Sequence, residues 1–359
     1  MKKQYLFTLF CLVVLTYATA QEEESKETEK ALKIVPLITS TPLMGTGVGV
    51  GASYLYTGDK SAASKSQLNI GGQYTTTDSY NVYATNNLWL QENAIRLTTL
   101  GVYSSINNEF ELDGVDVAYN IHTVIIDALF LKRTSKNIYV GGGMLFKTLN
   151  YKPINEGGED FIDKNAIENE TTGGLSFGAT YDSRKNKYYP TNGFFVGTRL
   201  NAFPEFLGSD MNYQSFILDA RYYTKIFNEN SVLASQLYGQ FSSEKTPDAG
   251  LPSLSGKSIL RGFPNGKYKA RHMTGGQTEY RYTIPNSKFR VTGFVGVANL
   301  SGGSYGDGTN SRDDDGWYSA TGIGTRYKLQ AVTGVDVRLD FVHTNDNEFS
   351  VYLKLNQAF

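Results

Sequence analysis

Alternation with a period of two, sustained over long segments, limits most tightly what this chain can fold into. In "VDVRLDFVH" one face carries Val335, Val337, Leu339 and Phe341, and the other carries Asp336, Arg338 and Asp340. In "EFSVYLKLNQAF" Phe349, Val351, Leu353, Leu355 and Phe359 oppose Ser350, Lys354 and Asn356. Between Gln214 and Lys225, Phe216, Leu218, Ala220 and Tyr222 oppose Asp219, Arg221 and Lys225. Side chains of a strand point alternately to its two faces, so each segment reads as a strand with one apolar and one polar face. No segment of convincing length carries the helical period.

A soluble β-sandwich alternates as well, but its polar faces turn to water. Two features favour a membrane barrel. Many segments run about ten residues or more, which suits a tilted transmembrane strand. Connections also alternate in length. They are long near 151–169, 245–273 and 301–317, and short near 134–136, 227–230, 285–287 and 330–333. Long outer loops and short periplasmic turns are the barrel pattern, and the segments count to roughly sixteen, an even number as in single-chain bacterial barrels. The expected fold is all-β, an antiparallel transmembrane barrel over residues 31–359 that leaves no length for a separate periplasmic domain.

The start of the chain reads as an export signal. Lys2 and Lys3 precede an apolar run from Tyr5 to Val14 and beyond, closed by Ala18-Thr19-Ala20. A charged start, an apolar stretch and an A-x-A site make residues 1–20 a signal peptide. Residues 21–30 form an acidic, polar lead expected to be disordered. Beyond residue 20 no apolar run could cross a bilayer as a helix. Cys11, the one cysteine, falls inside the signal, so no disulfide or thiol chemistry is expected. High Tyr (25), Phe (20) and Gly (37) counts with 19% charged residues fit a barrel, and a net charge of -1 gives no reason to expect nucleic acid.

Two stretches carry a family resemblance. Within "LSFGATYDSRKNKYYPTNGFFVGTRL" stand Tyr181, Asp182, Arg184, Pro190 and Gly193; "ILRGFPNG" holds Arg261, Gly262 and Phe263. Their order and spacing resemble the BamA/TamA superfamily of outer-membrane barrels, the bacterial surface antigen family. "GIGTRY" at 322–327, "VRLDF" at 337–341 and Phe359 look like the family too. The match is good from about residue 170 to 359; residues 31–169 match in pattern only.

The resemblance implies that the Arg-Gly-Phe tip of a long outer loop folds into the lumen, where its arginine meets acidic wall groups. The alternation agrees. If Tyr280 and Tyr282 face lipid, Glu279 faces the lumen and becomes the expected partner of Arg261, ideally through a bidentate pair. Gly262 would permit a tight turn and Phe263 would pack inside the lumen. Family members often place a second acid where this chain has Gly296, which leaves Asp336, Asp340 or Asp182 as the remaining choices. The Tyr181–Gly193 residues are expected to shape a turn, with Asp182 and Arg184 in inward polar contacts. Phe359 resembles the terminal aromatic read by the barrel-assembly machinery, and an interfacial aromatic would look the same.

No nucleophile–base arrangement, metal spacing or cofactor motif appears, so no enzyme activity, cofactor or metal is expected. Asp313, Asp314 and Asp315 could offer oxygen ligands to Ca²⁺, but their spacing is not that of an EF-hand and a solvated acidic loop is the better reading. The resemblance implies protein or lipid insertion or translocation at the outer membrane. The chain would do so without polypeptide-transport-associated domains, through a seam near 31–40 and 349–359. Expected partners are outer-membrane lipid, the assembly machinery during biogenesis, and a periplasmic or membrane protein. The alternative is a passive or structural barrel plugged by loop 245–273.

Overall fold

The computed structural model describes residues 31–359 apart from 42–44, 61, 63, 113, 165–166, 188, 256–258, 264–266, 304–312, 329–335 and 356. The signal peptide and acidic lead assigned above, and the turn at 330–333, therefore lie outside the described residues. The strands are β1 (Ala31–Thr41), β2 (Gly45–Tyr56), β3 (Ser66–Thr75), β4 (Tyr80–Leu90), β5 (Ile95–Leu112), β6 (Val115–Ser135), β7 (Ile138–Pro153) and β8 (Glu170–Asp182). There follow β9 (Gly193–Phe203), β10 (Tyr213–Lys225), β11 (Ser231–Ser242), β12 (His272–Thr283), β13 (Phe289–Ser301), β14 (Gly316–Lys328), β15 (Asp336–Thr344) and β16 (Phe349–Leu355). Each strand pairs with the next, and β1 with β16, in one closed barrel. Closure matters because hydrocarbon offers no partner to a bare N–H or C=O, and a barrel has no free edge.

The two faces sort as the alternation requires. Val48, Val50, Ile126, Met144, Phe177, Leu237, Val295 and Ile323 are exposed on the outer face, while Glu279, Arg281, Arg326, Asp336 and Asp340 are buried inside. Call the rim that carries Ala31 and Leu355 the lower rim. On β5 and β6 the outer face stays apolar up to Tyr103 and Val124, then turns polar, where Asn120 Nδ2 donates to Ser105 Oγ at 2.8 Å. That switch marks the top of the apolar belt. The β5–β6 hairpin, with strands of 18 and 21 residues, continues above it.

Two expectations need correction. Residues 151–169 are not a bare loop: β7 runs to Pro153, and a helix, α1, spans Glu156–Lys164. Asn155 starts this helix, its Oδ1 accepting from the Gly158 N–H at 2.7 Å, and Phe161 packs edge-on to Phe110 and flat on Tyr119. A nine-residue helix held by one cap and one aromatic anchor leaves little periodicity to read. Loop lengths also alternate less cleanly than expected. The upper-rim turns β3–β4 and β15–β16 are short, whereas the lower-rim connection 57–65 is long.

Between β11 and β12 the chain turns down into the lumen. Leu254, Ile259, Leu260, Phe263 and Ala270 of this loop form one buried cluster with Met273, Phe294, Ala298, Leu300, Ala320 and Val342 of the wall. The lumen therefore has a hydrophobic core on one side, which fixes where the polar site below it can lie.

Candidate functional site

Arg261 stands at the end of the loop's apolar run and is 4% exposed. Its Nη1 donates to Glu279 Oε2 at 2.8 Å and to Asp340 Oδ2 at 3.2 Å. One nitrogen thus bridges two carboxylates on β12 and β15, so the expected bidentate fork to Glu279 is not made. The guanidinium lies 3.4 Å from the centroid of the Phe294 ring, a desolvated cation–π contact. Of the three acids left open as second partner, Asp340 fills the place. Asp336 and Asp182 are taken by Arg290 and Arg184.

The sequence departure at Gly296 has a steric basis. A Cβ there would stand 2.6 Å from Leu260 Cδ2, so the loop's apolar run occupies the space a wall acid would need. Gly262 adopts φ 102°, and a Cβ on it would meet Thr344 Cγ2 at 2.5 Å; this position requires glycine on both counts. Phe263 makes edge contacts with Tyr268 and Tyr318, inside the lumen as expected.

Glu279 is the hub, and three guanidiniums meet on it. Arg281 Nε donates to Oε1 at 2.7 Å, and Oε2 takes Arg261 and, at 3.3 Å, Arg326 Nη2. Arg326 Nη1 also reaches Asp340 Oδ1 at 2.5 Å. Sequence reasoning did not single out Arg281, Arg326 or Phe294. The first two were legible as inward positions of "TEYRY" and "GIGTRY", but alternation gives a face and not a neighbour.

Near the lower rim, Arg184 grips its own neighbour: Nε donates to Asp182 Oδ1 at 2.9 Å and Nη2 to Oδ2 at 3.0 Å. Its guanidinium lies over Phe195. Tyr181 faces outward, Pro190 is buried in the turn, and Gly193 has φ 109°. The turn carries Tyr189 inward, under Arg290 at 3.8 Å.

Phe359 leaves the outer row in which alternation placed it. β16 ends at Leu355, and Phe359 is buried with Tyr223 and Ala234, while its main-chain oxygen accepts from Arg281 Nη2 at 3.2 Å. The ring 5.4 Å from the Arg281 guanidinium explains the inward position. Of the acidic loop, Asp314 Oδ2 accepts from the Lys269 N–H and Asp315 Oδ2 from the Gly303 N–H, each at 3.0 Å. Those carboxylates serve the main chain.

A closed sixteen-strand barrel with an arginine-tipped loop pinned in its lumen calls for comparison with known proteins. The Omp85 superfamily domain matches residues 43–333. The chain belongs to the Omp85 superfamily. None of the curated proteins matches it in sequence. Among solved structures, BamA from Haemophilus ducreyi lacking POTRA domains 1-3 aligns at 15% identity and TM-score 0.57, over 92% of this chain and 70% of that one. CdiB from Acinetobacter baumannii aligns at 12% identity and TM-score 0.62, over 92% of this chain and 60% of that one. CdiB from Escherichia coli gives 11% and 0.64, over 92% and 63%. This Omp85 chain thus spans less than two thirds of either CdiB, and at these identities the likeness is one of fold. Its described residues form the barrel, with no POTRA-like part evident. Omp85 barrels are outer-membrane proteins of Gram-negative bacteria, and the superfamily is one of translocation and insertion.

Proposed function

We propose that this Omp85 barrel sits in the outer membrane and passes a polypeptide or lipid substrate sideways through the seam between β1 and β16, with a partner protein supplying substrate capture from the periplasm. The observation that carries this reading is the unequal ladder on β1. It pairs with β2 from Ala31–Leu55 through to Thr41–Gly45, but among the described residues it pairs with β16 from Ile38–Leu353 to Ser40–Val351. Each missing ladder bond lowers the cost of parting the two strands. Recognition of Phe359 by assembly machinery belongs to the same reading. Since Phe359 is buried in the finished barrel, it would be read before the barrel closes.

The test is to lock the seam. Ile38→Cys with Leu353→Cys, which face each other in register, should abolish in vivo function when oxidised and restore it when reduced. Equal complementation in both states would overturn the reading. Planar-bilayer conductance separates the runner-up, a passive channel. The insertion reading expects a mostly closed barrel that opens when 258–268 is deleted. A steady, large conductance from the intact chain would favour the channel.

A further inference from the structure

The lumen wall next to the seam carries more positive than negative charge, and the excess has an address. Arg290 on β13 stands opposite Arg326 on β14, and Arg326 opposite Arg338 on β15. Three arginines thus occupy one register row across three adjacent strands. Like charges directly opposite each other in a sheet are unfavourable. Arg290, Arg326 and Arg338 are all buried, which removes the water that would otherwise screen them.

The carboxylates nearby do not balance the row. Asp336 takes Arg290 and also Gln357 Nε2 at 2.6 Å. Glu279 takes Arg281, Arg261 and Arg326. Asp340 takes Arg326 and Arg261 and is left 3.5 Å from Arg338 Nη1, beyond a useful hydrogen bond. Five guanidiniums (Arg261, Arg281, Arg290, Arg326 and Arg338) therefore share three side-chain carboxylates, and the Phe359 main-chain oxygen serves Arg281 alone. Arg338 comes off worst: its Nε and Nη1 make no hydrogen bond within the protein. The Nε atoms of Arg290 and Arg326 are in the same position. Neutral polar groups can do little for an excess of this kind. A buried guanidinium whose donors lack partners is costly, and an oxyanion that accepts from the planar fork relieves it.

We propose that Arg338, with Arg326 beside it, forms a binding site for a phosphate oxyanion in the lower half of the lumen next to the seam. The tetrahedral group offers several acceptor oxygens to a row of forks, which a halide does not. Arg338 is separated from β1 by β16 alone and lies two residues above the lower end of β15. Both free inorganic phosphate from below and the phosphodiester of a phospholipid headgroup passing the seam carry this chemistry. The site stands whether the barrel inserts substrates or conducts them.

The experiment uses the full chain purified in a phosphate-free sugar detergent. Inorganic phosphate is titrated against chloride at equal ionic strength, and the thermal midpoint is read. Retention of phosphatidylglycerol is compared with that of a phosphate-free glycolipid by native mass spectrometry. Saturable stabilisation by inorganic phosphate identifies the free ion as a ligand; selective retention of the phospholipid without it identifies the headgroup. In either arm Arg338→Gln should weaken binding about tenfold, the loss of one charge-assisted hydrogen bond, whereas Arg221→Gln, whose partner is Asp219, should not. Neither stabilisation nor selective retention in the wild type overturns the proposal, as does binding unchanged in Arg338→Gln. If Arg338→Gln does not fold, the wild-type titration and lipid comparison decide alone.

Discussion

The two walls of the lumen are built from different chemistry. Across β2–β5 the inward groups are mostly amides and hydroxyls that satisfy each other between neighbouring strands. Gln67 Nε2 donates to Ser53 Oγ at 2.9 Å, Asn69 Nδ2 to Thr85 Oγ1 at 3.2 Å and Thr98 Oγ1 to Asn87 Oδ1 at 3.3 Å. Across β12–β15, below the hydrophobic cluster, the inward groups include the charged Glu279, Arg281, Arg290, Arg326, Asp336, Arg338 and Asp340. These reach past their neighbours, to the loop and to strands far away in sequence: the Arg261–Asp340 pair closes a separation of 79 residues. A neutral wall is a sum of local bonds, each replaceable. A charged wall is one network, in which removing a member strands the others.

The comparison breaks most sharply at Glu279. Glu279→Ala leaves Arg261, Arg281 and Arg326 buried without their shared acid, and should cost about 3–5 kcal/mol, the penalty for orphaning buried charge. Asn69→Ala on the neutral wall should cost about 1 kcal/mol. Denaturant unfolding followed by heat-modifiability on gels reads both. Equal losses would mean the charged wall is not a network.

Arg261→Ala should be milder for the barrel than Glu279→Ala, because Glu279 keeps Arg281 and Arg326, and Asp340 keeps Arg326. What it removes is the loop's anchor, together with a cation–π contact worth about 2 kcal/mol when desolvated. The expected result is a protease-sensitive loop on a barrel that remains heat-modifiable. A barrel that fails to form would show that the loop is needed for folding as well as for the plug. Gly296→Asp, which restores the acid that the resemblance led one to expect, should also loosen the loop, by about 1–3 kcal/mol of overpacking against Leu260. Tighter loop protection in this variant would refute the steric account.

Sequence and structure agree unevenly, and the two walls show why. Strand identity, face and approximate number follow from side-chain alternation, which is a local property: "VDVRLDFVH" alone puts Asp336, Arg338 and Asp340 on one face. Glu279 could be named for Arg261 because the family resemblance brought the loop inward and alternation then supplied an inward acid. Choosing Asp340 over Asp336 and Asp182 needed the register of β15 against β12, which no local pattern encodes. Phe359 failed for a related reason. Alternation extended β16 through it, but the strand stops at Leu355 because Arg281, Tyr223 and Ala234 make an inward seat, and those residues lie on β10–β12.

The smallest expected effect lies where the loop meets the last hairpin at the upper rim. Lys267 Nζ stands 3.4 Å from Asp346 Oδ2 and 3.3 Å from Glu348 Oε1, and Tyr268 Oη donates to Asp346 Oδ2 at 2.8 Å. Burial pushes the Asp346 carboxyl up, but hydrogen bonds from Thr344 and Tyr268 and the Lys267 charge outweigh it, so it ends below the usual aspartate value. A group held low in the folded state stabilises it above the unfolded value, about 4, and loses that contribution as pH falls through the folded value. Loop protection against an acid-stable protease should therefore be flat from pH 8 to about pH 5 and decline below about pH 4. Asp346→Asn should lower protection at neutral pH and flatten the acid decline. Lys267 and Asp346 sit at the rim with side chains 38% and 18% exposed, and they latch only the loop, so the change is a shift in loop cleavage rate and not in barrel stability. An acid decline equally steep in Asp346→Asn would show that the Lys267–Asp346 latch is not its origin.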